Sequence, residues 1–133
     1  MKSAGAGTET SAVYPEQELT GRILEAAFAV HNSLGAGFLE KVYENALLIE
    51  LRSMGISCAS QQAVQVRYRG SMVGDYQADI LVEGRVLVEL KACSALDPNH
   101  EAQIMNYLRA SGMKVGLLIN CGRPRLEYRR FVN

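Results

Sequence analysis

Between Met72 and Ala92 the chain alternates like a β-strand twice, and each time it sets charge among apolar neighbours. Residues two apart in an extended strand share a face. In the first segment Tyr76, Ala78, Ile80 and Val82 therefore fall on one side, and Gln77, Asp79 and Leu81 on the other. In the second, Val86, Val88, Leu90 and Ala92 lie opposite Leu87, Glu89 and Lys91. Charge in such strands is costly to bury unless it is paired or holds a metal. Glu83-Gly84 is the turn signal between the two. With a three-residue loop of Glu83, Gly84 and Arg85, for which an internal glycine is the usual requirement, Val82 faces Val86 and Asp79 faces Glu89. With a loop of Glu83-Gly84 alone, Asp79 would face Val88 and the carboxylates would diverge. We take the three-residue loop. Directly opposed Cβ atoms lie about 4.5–5.5 Å apart. Two carboxylates at that separation repel, so one protonates or a cation sits between them. A hard divalent ion such as Mg²⁺, bound by oxygens at about 2.0–2.1 Å, fits the pair, with Lys91 one pleat beyond Glu89. The alternative reading of the same residues is a Glu89–Lys91 ion pair on one strand face, with Asp79 at a strand end.

The pattern on either side of this hairpin predicts where it sits. A helix is expected from Pro15 or Glu16 to Leu34, because Ile23, Ala26, Ala27, Val30 and Leu34 recur at helical spacing, widened by Leu24 and Phe28. Gly35 and Gly37 end it. A second helix spans about Leu39 to Met54, with Val42, Tyr43, Ala46, Leu47, Ile49 and Leu51 as its apolar surface and Gly55 as its stop. The period then drops to two: Val64, Val66 and Tyr68 alternate with Gln65, Arg67 and Arg69, a half-buried strand. Arg69-Gly70-Ser71 is a turn, and strands follow over 72–82 and 85–92. A third helix covers about 99–111, opened by Pro98, with Ala102, Met105, Tyr107 and Leu108 inward and Gly112 at its end. Lys114 to Asn120 reads as an interior strand and Leu126 to Val132 as an edge strand. The order α-α-β-β-β-α-β-β suits an α/β fold, one mixed β-sheet flanked by α-helices.

The chain has 133 residues, enough for one domain, which we place at 16–133 behind a Gly/Ser/Thr-rich flexible tail at 1–15. No apolar run approaches the ~20 residues that span a bilayer, and the N-terminus lacks the hydrophobic stretch of a secretory signal. Cys58, Cys93 and Cys121 form no CxxC pair and no metal-ligand spacing, which suggests reduced thiols and a cytoplasmic protein. The 14 basic residues balance 14 acidic ones, so bulk charge does not advertise a nucleic-acid partner.

The hairpin resembles the PD-(D/E)xK nuclease superfamily, in which an Asp and a Glu-x-Lys lie on adjacent antiparallel strands. Here these are Ala78-Asp79-Ile80-Leu81-Val82 and Val88-Glu89-Leu90-Lys91-Ala92. Gln103 and Tyr107 on the third helix are similar to the Q-x-x-x-Y signature of the RecB-like exonuclease branch. The run from Gly37 through Glu40 to Tyr43 resembles the G-x-x-E-x-x-Y pattern of the GxxExxY family. The likeness extends from about Leu19 to Val132; Ala78 stands where the superfamily label has Pro, a loosely kept position.

The resemblance implies a restriction-endonuclease-like core and a nuclease that uses Mg²⁺ or Mn²⁺. Asp79 and Glu89 would be metal ligands, with the Leu90 carbonyl a third oxygen, and Lys91 would orient water or neutralise developing charge. Glu40 would approach the metal through water or a second ion, or else complement the helix dipole. Gln103 would hydrogen-bond Lys91 or a substrate phosphate. Some RecB-like nucleases use an upstream histidine, which makes His31 a possible ligand; a satisfied core histidine is the alternative. Tyr43 and Tyr107 are supporting residues or packing residues, and His100 is a phosphate contact or a helix-start residue. Glu50 is expected in a buried pair with an Arg or Lys. Arg123, Arg125, Arg129 and Arg130 form the one basic cluster, either a phosphate-contact surface or the charged edge that keeps an outer strand from pairing.

The reading is a metal-dependent nuclease that hydrolyses phosphodiester bonds of nucleic acid, with DNA favoured. The rival is a non-catalytic nucleic-acid- or protein-binding module that retains the fold. No membrane partner is expected, and a domain this small suits a homo-oligomer or a larger nuclease or repair assembly.

Overall fold

The computed structural model describes residues 14–133, and all but Tyr14 and Pro15 of the expected tail lies outside them. Helices α1 (Gln17–Leu34) and α2 (Glu40–Ser53) precede strands β1 (Cys58–Tyr68), β2 (Ser71–Val82) and β3 (Val86–Lys91). Then come α3 (Pro98–Ser111), β4 (Val115–Asn120) and β5 (Glu127–Val132), in the order the sequence predicts. The strands form one sheet, β1-β2-β3-β4-β5, antiparallel except between β3 and β4. A parallel neighbour needs a crossover, and α3 supplies it.

The helices cover both faces. Ile23 and Val30 of α1 and Leu47 and Leu51 of α2 meet Ile80, Val88, Leu117 and Ile119 in the larger core. On the other face Tyr107 and Leu108 of α3 close over Val64, Ala78 and Leu87. With both faces covered, all six residues of β4 are buried.

Several side chains fall elsewhere than helical spacing suggests. Phe28, Val42 and Ile49 are exposed because α1 and α2 turn only a narrow stripe inward; Glu44 shares that buried stripe with Tyr43, Leu47 and Leu48. On α3, Ile104 is buried and Ala102 exposed. Strand β1 also begins earlier than the alternation of Val64 to Tyr68 shows. Gln61 has φ 53° there, which breaks the pleat and hides the period-two signal. The far end of the β1–β2 arm runs past the core, where Tyr68, Met72, Val73 and Tyr76 are exposed. Its turn is Arg69-Gly70, both at positive φ (51° and 84°), as a two-residue type I′ hairpin requires.

The decisive turn is as expected. Val82 pairs with Val86 and Ile80 with Val88, across a loop closed by the Arg85 N–H on the Val82 carbonyl (2.9 Å). Glu83 takes φ 54°, and its carboxylate accepts from the Ser57 N–H (2.6 Å) while its own N–H donates to the Ser57 carbonyl (2.8 Å), which holds the loop to β1.

Beyond β3 and β4 the chain is tied by Asn120, which is fully buried. Its Oδ1 accepts from the Cys93 and Gly122 N–H groups (both 3.0 Å), and its Nδ2 donates to the Cys93 carbonyl (3.0 Å) and to Glu127 (3.1 Å). Gly122 lies so close to the Cys93 backbone that a Cβ would overlap it. Gly122→Ala must therefore move main chain, and we expect it to lower stability by about 3 kcal/mol or more. Urea denaturation checks this; a change within about 0.5 kcal/mol would mean the segment relaxes freely.

Candidate active site

The pairing of β2 with β3 stops at Ile80–Val88, and Asp79 and Glu89 stand at the first step beyond it. There side chains replace the ladder. Asp79 Oδ2 accepts from the Leu90 N–H (2.7 Å), and Glu89 Oε2 accepts from the Asp79 N–H (3.0 Å). The reciprocal bonds hold the strands apart and fix both carboxylates at the mouth of the gap. The Lys91 carbonyl accepts from the Cys121 N–H on the β4 side (2.8 Å), so backbone alternation turns the Leu90 carbonyl toward the gap.

The pair is electrostatically strained. Burial raises the pKa of Glu89, and the neighbouring Asp79 charge raises it further, to about 8. Asp79 is also raised, by burial first and by the charge of Glu44; its bond from Leu90 opposes the shift. The two carboxylates lie close enough for one to keep a proton at neutral pH.

Lys91 forms no ion pair with either carboxylate, so the same-face salt bridge is not what holds it. Its Nζ donates to Gln103 Oε1 (3.2 Å), and Gln103 Nε2 lies 3.2 Å from the Tyr107 hydroxyl. Residues four apart share a helix face, and that spacing lets Tyr107 fix which way the Gln103 amide points. The Tyr107 pKa is raised, chiefly by burial and then by Glu89.

Glu44 is an acid that sequence spacing alone does not single out. It is 4% exposed, and its two oxygens accept from Gln61 Nε2 (3.1 and 3.0 Å), with Lys41 Nζ 3.1 Å from Oε2. The acid of α2 that is buried and ion-paired is thus Glu44, its partner Lys41 being exposed; Glu50, where a buried pair is expected, is half-buried and makes no ion pair among the described residues. One signal was available: Glu44 falls between the apolar positions Tyr43 and Leu47. Glu40 lies one turn earlier on the same helix face, exposed.

Other expected site residues do structural work. His31 is buried, and its Nε2 donates to the Arg123 carbonyl (2.9 Å), which ties α1 to the β4–β5 connection and leaves that nitrogen closed to a metal. The Tyr43 hydroxyl donates to the Gly35 carbonyl (2.6 Å) and accepts from the Phe38 N–H (3.2 Å), bracing the α1–α2 loop. His100 completes the N-terminal cap of α3: its Nδ1 accepts from the Asp97 N–H (3.2 Å), and Asp97 accepts from the His100 N–H (3.2 Å). The four arginines do not share one surface. Arg129 reaches Glu101 and Glu127 (both 3.8 Å), Arg123 reaches Glu127 (3.9 Å), and Arg130 follows Arg129 on β5 and so takes the opposite sheet face.

Among the described residues no third His, Cys, Asp or Glu groups with Asp79 and Glu89 as a ligand set. The donors that do converge are oxygens: two carboxylates, each with one oxygen outside the backbone bonds, and the Leu90 carbonyl. Oxygen-only donors suit a hard divalent cation that keeps part of its water shell. A cation would also relieve the charge that pushes both pKa values up. The residues therefore fit such an ion.

The family model described as the PD-(D/E)XK nuclease superfamily matches residues 17–131. Among solved structures, one described as "Crystal structure of SSO0001" matches with a TM-score of 0.54 at 16% sequence identity, covering 89% of this chain. The match takes in 59% of that chain, and at this identity it speaks for the fold alone. No curated protein matches. Among the described residues no helix is long and apolar enough to cross a membrane.

Proposed function

Because the chain belongs to the PD-(D/E)XK nuclease superfamily, we propose that it hydrolyses phosphodiester bonds of nucleic acid, with DNA as substrate, at the gap between β2 and β3. The observation that carries this reading is the reciprocal bonding of Asp79 and Glu89, which fixes a half-buried and a buried carboxylate side by side where the β2–β3 pairing ends. The spacings Gly37–Glu40–Tyr43 and Gln103–Tyr107 support a place in the RecB-like branch, with the GxxExxY proteins.

Asp79, Glu89 and the Leu90 carbonyl would hold Mg²⁺ or Mn²⁺. The chemistry such an ion would supply there is Lewis-acid polarisation of a phosphate and a lowered pKa of a bound water. Lys91 faces the charge that develops on the phosphate oxygens, and Gln103 sets its direction by accepting one of its three N–H bonds. Tyr107 orients Gln103. Glu44, held by Gln61 and Lys41, adds negative field at Asp79 and so would favour a cation there. Glu40, exposed one turn before Glu44 on α2, would be the acid that meets hydrated ion or substrate.

The test is cleavage of labelled single- and double-stranded DNA in Mg²⁺, Mn²⁺ and EDTA by the wild type and Asp79→Asn. We expect metal-dependent cleavage that falls by about 10³-fold or more in the variant. Equal background from both proteins would leave the fold as a binding module.

A further inference from the structure

Next to the carboxylates, a groove of about 1080 Å³ runs between the β1–β2 arm and α3. Gln103 and Tyr107 belong both to its wall and to the chain of contacts that ends at Lys91, so groove and site are continuous. The chain as a whole is neutral, yet among the described residues that line the groove none is Asp or Glu, and Arg67 and Arg109 are two of them. Among the described residues each arginine bonds only to neutral acceptors. Arg67 donates to Gln65 Oε1 (3.0 Å) and the Gly70 carbonyl (3.4 Å), and Arg109 to Asn106 Oδ1 (2.9 Å). No described carboxylate pairs with either, which leaves both guanidinium groups able to take an anion.

The floor is aromatic. Tyr76 is 50% exposed although its ring leans on Tyr107, with centroids 5.9 Å apart at 37°. A Cβ at Gly74 would come within 2.9 Å of the Tyr76 ring, so the glycine leaves room for the ring to lie along the strand. The result is a ring set between Tyr107 and the Gly74 backbone with half of its surface exposed. Flat π-faces beside uncompensated guanidinium groups are the means by which proteins hold unpaired strands, whose bases stack while the phosphates are neutralised. A duplex keeps its bases stacked on one another and offers this ring nothing.

The geometry points to a subsite for single-stranded nucleic acid in this groove, with a base on Tyr76, phosphates on Arg67 and Arg109, and the strand leading past Gln103 to the carboxylates. The inference rests on the hydrolytic reading for the phosphate that is cut, and on the groove itself for the strand that is held.

Because the chain has no tryptophan, Tyr76→Trp places a single indole at the proposed stacking point. In EDTA, its fluorescence should be quenched by oligo-dT and not by a duplex of equal length. Anisotropy with labelled oligo-dT should show binding about tenfold or more weaker in Tyr76→Ala, and unchanged in Tyr76→Phe. Arg67→Gln and Arg109→Gln should each lower the salt slope by about 0.7. Duplex bound as tightly as single strand, or Tyr76→Ala equal to wild type, would overturn the subsite. Cleavage without a Tyr76 effect overturns this inference and leaves the hydrolytic reading standing. Tyr76-dependent strand binding without cleavage supports the subsite and removes the hydrolysis.

Discussion

Glu89→Gln will produce a protein that is inactive and, without metal, more stable than the wild type above neutral pH. The amide keeps the shape of the side chain, accepts the Asp79 N–H as Glu89 Oε2 does, and can donate to the Asp79 carboxylate. It cannot carry charge. In the wild type the folded protein holds the Glu89 proton up to about pH 8, whereas the unfolded chain releases it near the ordinary 4.5. A raised folded pKa of an acid favours the fold fully below the unfolded value and loses that contribution as pH rises toward the folded one. Asp79 is shifted in the same direction. Metal-free wild type should therefore lose stability from about pH 4.5 to about pH 8, by an amount on the order of 3–5 kcal/mol. The variant should lose much less. Urea denaturation in EDTA across this range gives the two curves, which should converge at the acid end. Mg²⁺ should restore the wild type at high pH and leave the variant unmoved, because only a ligand that binds the folded form stabilises it. Cleavage should fall by about 10³-fold or more in the variant. Parallel stability curves would mean that Glu89 is not held protonated.

That trade explains why so much of the site was legible in the sequence. Asp79, Glu89 and Lys91 are conspicuous because charge in an apolar strand has no structural justification, and the loop length alone set which carboxylate meets which. Gln103 and Tyr107 could be placed because helical spacing puts them on one face. What stayed hidden was whatever depends on side-chain direction across elements. Nothing local says that His31 will find a carbonyl at Arg123 rather than a metal. Likewise, Glu44 looks like a surface acid until Gln61, at an irregular backbone position, reaches it from β1. The arginines read as one cluster because they are close in sequence. Strand alternation then sends Arg129 and Arg130 to opposite faces, while Arg67 and Arg109, 42 positions apart, come together at the groove.

Lys91→Met separates catalysis from binding. Were the lysine there to neutralise Glu89, its loss would strand a buried charge, destabilise the fold and disturb the metal ligands together. The structure gives it a different attachment: among the described residues the ammonium's one hydrogen bond is to the neutral Gln103. Methionine retains most of the aliphatic stem and removes only the ammonium. Turnover should fall by about 10²- to 10³-fold, the scale for removing one donor aimed at developing charge, with KM little changed. Mn²⁺ binding followed by calorimetry should persist. Its onset should move to higher pH, because the lysine charge favours the ionised form of both carboxylates. Lys91→Arg keeps the charge but replaces a compact ammonium by a planar fork that cannot take the same place against Gln103, so it should rescue metal binding at the original pH more fully than turnover. Loss of Mn²⁺ binding along with activity in Lys91→Met would assign the lysine to the metal site's architecture; unchanged turnover would remove it from the chemistry.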